Sequence, residues 1–166
     1  MPPILSRGFC QAVETMAVSR AVQDSTWLFP TIETTHLVAM IVLVGSITVF
    51  DLRLLGLALR GTSVSQLAWR LLPATWTAFA IMAVTGALLF SSDPVMKYCH
   101  NPALQLKLVL IALAGANMGV FHFTVYHRVK EWDTVPVLPL GAKLAGSLSV
   151  LLWGGVVVTG RWIGFM

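Results

Sequence analysis

Four apolar stretches, each long enough to cross a bilayer, alternate along this chain with short polar connections. The first runs from about Thr31 to Phe50, with Trp27, Phe29 and Pro30 marking an aromatic headgroup level before it and Asp51 and Arg53 expected to return it to water. Arg60-Gly-Thr-Ser-Val-Ser-Gln66 and Arg70 lead to a second span, about Leu71 to Phe90, whose Pro73 falls in the first turn, where a missing N–H is tolerated. After the loop Ser91 to Pro102, a third span covers about Ala103 to Tyr126, and Lys107 is expected to snorkel to its nearby end. His127, Arg128, Lys130, Glu131 and Asp133 form the next aqueous connection. Pro136 and Pro139 stop helix before the fourth span, about Leu140 to Thr159, which Arg161 and Trp162 anchor. Ahead of all four, residues 4–23 place Leu5, Phe9, Val13, Met16 and Ala17 along one stripe and charged residues elsewhere, the pattern of an amphipathic helix lying in the interface. The expectation is an all-α integral membrane four-helix bundle with an N-terminal interfacial helix, one domain over residues 1–166.

Composition agrees. With 57% hydrophobic residues, 11% charged residues and a mean hydropathy of +0.80, the chain is too apolar for an ordinary soluble domain. The net charge of +4 is spread over connections between apolar runs, so it reads as topology and headgroup contact and implies no nucleic acid. Four spans put both termini on one side, here side A, with loop 91–102; side B holds loops 51–70 and 127–139. Arg7, Arg20, Lys97, Lys107 and Arg161 lie on side A, and Arg53, Arg60, Arg70, Arg128, Lys130 and Lys143 on side B. Side B is therefore expected to be cytoplasmic, with the termini and His36 toward the periplasm of a bacterial inner membrane. The first residues lack the features of a cleaved signal peptide, and the N-terminus is expected to be retained. Cys10 and Cys99 lie far apart and signal neither a zinc site nor a disulfide framework. Met96-Lys-Tyr-Cys-His100 ends like a c-type haem attachment motif but has Met96 where its first Cys would stand, which argues against covalent haem.

Candidate chemistry is confined to a few side chains. Glu33, His36 and Met40 follow helical spacing on the first span, where an ionisable residue is costly and marks a functional site by default. A bundle-facing polar pair with Met40 as filler is the plain alternative. Axial haem ligation, metal ligation with Glu33, and proton transfer are the chemical ones. On the third span Ala112, Gly115, Gly119, His122 and Tyr126 share a face, which suits close helix packing or approach to a flat porphyrin. By helical rise, His36 lies about 8 Å inside side A and His122 about as far inside side B, too far apart to share one iron. His100, in the side A loop, is the candidate partner for His36. Met40, Met82 and Met118 fall near mid-membrane on three spans and offer thioethers suited to Cu(I). No Ser, Cys or carboxylate stands in a setting that activates it for hydrolysis.

Trp27-x-x-Pro30-x-x-Glu33-x-x-His36, Gly45, Asp51-Leu-Arg-Leu-Leu-Gly56, Asn101-Pro102 with Lys107, Asn117, Phe121-His122, Ser147, Trp153 and Gly160-Arg161 resemble a family of short bacterial four-helix membrane proteins of unknown function. More distantly, the intramembrane His and the Lys, Asn and His of the third helix are similar to cytochrome b561-like and copper-resistance-D-like proteins, which implies b-type haem or copper handling. The chain departs from the b561 pattern in lacking paired His on facing helices. The functional expectation is a b-type haem membrane subunit in electron transfer, with His36, His100, His122, Glu33, Met40, Gly115 and Gly119 as cofactor-binding candidates and the three His as metal ligands. A copper or small-cargo transporter, or a non-catalytic assembly subunit of a larger complex, is the alternative. The expected partners are the lipid bilayer, a redox partner or complex, and a second copy of the chain.

Overall fold

The computed structural model describes residues 5–133 and 138–165. Helices α1 (Arg7–Glu14) and α2 (Ala17–Asp24) precede four long ones, α3 (Leu28–Leu54), α4 (Val64–Ser92), α5 (Pro102–Val120) and, after the short α6 (Val129–Trp132), α7 (Leu140–Trp162). A π turn over Phe121–Val125 and a 3-10 turn over Tyr126–Arg128 carry α5 on into α6. Four segments are long and apolar enough to cross a membrane, and the chain is read as multi-pass on that ground.

The helices outrun the apolar stretches. α3 has 27 residues and a length of about 40 Å, more than a hydrocarbon core of about 30 Å requires. Side chains fix several starts: Ser63 accepts a hydrogen bond from the Gln66 N–H, and Asn101 from those of Ala103 and Leu104. Because α4 begins at Val64, Pro73 sits inside the helix rather than in its first turn, where the Trp69 carbonyl lacks its usual donor. The expected single interfacial helix is two, broken at Thr15 and Met16, with the Ser19 hydroxyl bonded back to the Val13 carbonyl. Pro136 lies outside the described residues.

Packing is pairwise. α3 packs along α4, α5 along α7, and an α3–α7 seam joins the pairs, whereas α4 and α5 barely meet among the described residues. The bundle is thus open on one flank. At side B an apolar knot of Leu54, Val64, Phe121, Trp132, Leu138 and Ala142 closes the end, and the Trp132 indole donates to the Val125 carbonyl at 3.2 Å.

At side A the closure is covalent. Cys10 of α1 and Cys99, just after a π turn over Pro94–Tyr98, form a disulfide with Cα atoms 6.1 Å apart, correcting the expectation that the two cysteines signal no disulfide framework. Their spacing of 89 residues could not signal it, because the pairing exists only once α1 folds back over the α4–α5 turn. Asp51 and Arg53 are a second correction: expected as aqueous anchors, they are buried at 3% and 2% exposure.

Candidate functional site

His36 occupies the α3–α4 seam in the side A half. Its Nδ1 lies 2.8 Å from the Thr85 hydroxyl, and the Thr85 oxygen lies 2.7 Å from the Ile81 carbonyl one turn back on α4. A hydroxyl has one hydrogen, so with that hydrogen on Ile81 the oxygen accepts from the His36 Nδ1–H. Nε2 then keeps the lone pair. The ring is seated against Gly86, where an added Cβ would lie 3.4 Å from Cε1. Glycine at this position lets α4 carry the imidazole flush against its backbone.

One turn toward mid-membrane, Met82 is buried with Ala39, Leu43 and Ala78, and Met40 and Trp153 pack on that cluster. Two of the three methionines singled out by depth are thus gathered below His36. Met118 is not: it is exposed on α5. From the other helix pair, Lys107 lies half-buried along α7, its Nζ 3.5 Å from where a Cβ on Gly160 would stand, near the side A end of that helix. Glu33 is exposed, so no carboxylate from the preceding turn of α3 accompanies the two nitrogen groups.

The remaining candidates are dispersed. His100 is exposed at the side A surface, where its Nε2 accepts from the Arg7 Nε at 3.4 Å beside a small cavity of about 260 Å³ over the disulfide. His122 is exposed and stacked on Tyr126 with ring centroids 5.4 Å apart. No group of three or more His, Cys, Asp or Glu comes together among the described residues. Gly115 and Gly119 meet nothing within 4 Å of an added Cβ among the described residues, so no described helix packs closely on them. Close approach is made instead by glycines of α7: Gly146 against Leu54 and Asp51, and Gly155 against Leu110. Asn117 donates to the Ala145 carbonyl at 3.0 Å, tying α5 to α7. A largely apolar groove of about 610 Å³ runs along the α3–α4 seam, lined by Thr34, Val38, Val42, Ala74 and Ile81.

Sequence reasoning singled out His36 but passed over Thr85 and Gly86. Thr85 carried no signal of its own, since a single Thr in an apolar run has no periodic partner. Four helices long and apolar enough to cross a membrane, with a half-buried His and a half-buried Lys among them, define the class: an all-helical bundle compatible with a multi-pass membrane protein. The chain belongs to a family of unknown function, DUF6644, whose sequence profile covers residues 14–166. No curated protein and no solved structure matches it.

Proposed function

We propose that the chain is a membrane electron-transfer subunit that takes b-type haem in its side A half, with the His36 Nε2 as axial ligand. The observation that carries the reading is the Thr85 contact. An imidazole tied down through Nδ1–H presents its other nitrogen in a fixed direction, as ligating histidines do. Lys107 adds the positive charge that suits a propionate, and the gap between α4 and α5 gives a flat ring a way in between the helix pairs. The residues fit one axial imidazole rather than two, because His100 is engaged by Arg7 and His122 is exposed in the other half. His36 alone of this chain's imidazoles would hold the haem, and a second ligand would have to come from a partner subunit, unlike the paired His of b561-like proteins. When bound, haem supplies the one-electron chemistry; the chain orients it, screens it from water with Met82 and Trp153, and balances its charge.

The disulfide supports the orientation. Such bonds persist in oxidising compartments, which favours side A as periplasmic and agrees with the Lys and Arg distribution. A C-terminal alkaline phosphatase fusion is then active and a green fluorescent fusion dark. The reverse pattern contradicts the assignment.

A second reading has its own observation. Met40 and Met82 share one cluster directly below His36, a soft ligand set suited to Cu(I) and a copper-handling role. Purified protein expressed with ample haem separates the two. One haem per chain, lost in His36→Ala, supports the first. Stoichiometric Cu(I) without haem, lost in Met40→Leu/Met82→Leu, supports the second.

A further inference from the structure

Further along α3 a second ionisable side chain turns inward, and nothing in the reading above uses it. Asp51, one turn before the end of the helix at Leu54, is 3% exposed, and its Oδ2 is sealed without a hydrogen-bond partner. Gly146 allows this. α7 approaches so closely that a Cβ there would lie 3.3 Å from the Asp51 carbonyl oxygen, and Ser149, three residues on, shares the face that Gly146 turns to α3.

The ionisable groups around it are directed elsewhere. Arg53 donates through Nε to the Thr62 carbonyl at 2.8 Å. Asp133 is taken by the Ser65 N–H and hydroxyl, and Tyr126 is stacked on the exposed His122. Lys143, half-buried just before Gly146 on α7, gives Oδ2 no bond. A carboxylate in this position would keep one oxygen away from water, donor and cation alike, a state that membrane interiors do not tolerate without a function attached.

We propose that Asp51 is a proton-binding site on the side B half of the bundle, a carboxyl that holds its proton in the α3–α7 seam and exchanges it with the side B aqueous phase. The ligand is the proton itself. The role it suits is charge compensation, uptake of a proton from side B when negative charge enters the bundle. The site stands whether or not a cofactor binds at His36.

A lipid-soluble carbodiimide reads the protonated state directly. The carboxyl oxygen bonds to the central carbon of the reagent while the acid's proton passes to one of its nitrogens, so the carboxylate form does not add. The full chain in nanodiscs carries Glu33→Gln, which removes the other carboxyl placed in a span by sequence, and is treated with dicyclohexylcarbodiimide. The expected result is a single adduct on the Asp51 peptide at neutral pH, together with a carboxylic C=O infrared band that Asp51→Asn abolishes. An unmodified Asp51 peptide with no such band overturns the proposal. Should Asp51→Asn fail to fold, the Glu33→Gln protein decides alone. A carboxylic band at neutral pH that vanishes on alkalinisation from side B supports the site, and its absence at neutral pH overturns it.

Discussion

His36 and Asp51 sit on the same helix and meet opposite surroundings. His36 lies where α3 packs on α4, its Nδ1 fastened to Thr85 and its other nitrogen without a hydrogen-bond partner among the described residues. Asp51 lies where α3 packs on α7, with one oxygen sealed and unbonded. Under the proposed reading the first arrangement presents a lone pair to haem, and the second encloses a group that must settle its charge alone. Polar residues in a membrane helix are equally costly by count, and their neighbours decide whether the cost secures a ligand or a proton.

The two ends of the molecule differ in the same way, and substitutions there test the contrast. Trp132→Ala removes the largest side chain of the side B knot and its bond to Val125, and is expected to cost about 3 to 5 kcal/mol in unfolding measured by detergent titration. Cys10→Ser opens the side A closure and is expected to cost about 2 to 4 kcal/mol by the same measurement, with the loss reproduced by reducing the wild-type protein. If the two variants changed places in this order, side A rather than side B would be the more firmly packed end.

Smaller effects sharpen the comparison at the sites themselves. Thr85→Val keeps the shape of α4 but removes the acceptor for His36 Nδ1–H, and haem affinity, followed by transfer to apomyoglobin, is expected to fall about 10- to 100-fold. Gly146→Leu forces a side chain into the α3–α7 seam and is expected to destabilise by about 1 to 3 kcal/mol, read as a lowered melting temperature. Gly115→Leu meets open space and is expected to change the stability of the single chain by less than about 0.5 kcal/mol in the same melt.

The fold was legible because four apolar runs and their flanking aromatics report the membrane residue by residue. Boundaries were less so. Helix continues past the apolar runs wherever caps such as Ser63 and Asn101 allow, which is why Pro73 moved from a first turn to a helix interior. Long-range pairings carried no local pattern. Cys10 and Cys99 are joined by how α1 folds back, and Asp51 is buried because Gly146 on a helix far along the chain lets α7 come close. His36 was legible as an intramembrane imidazole, whereas its hydrogen-bond partner was not. The small-residue face of Gly115 and Gly119 was legible as a stripe, but which stripe is used depends on the helix pairing, and the chain uses that of α7.

The most direct test of the account is the dithionite-reduced minus air-oxidised visible spectrum of purified wild-type and His36→Ala protein, each expressed with ample haem. The account predicts sharp b-type bands in the wild type and none in the folded variant. Equal bands in both, or a flat trace from fully folded wild-type protein given haem, would contradict it.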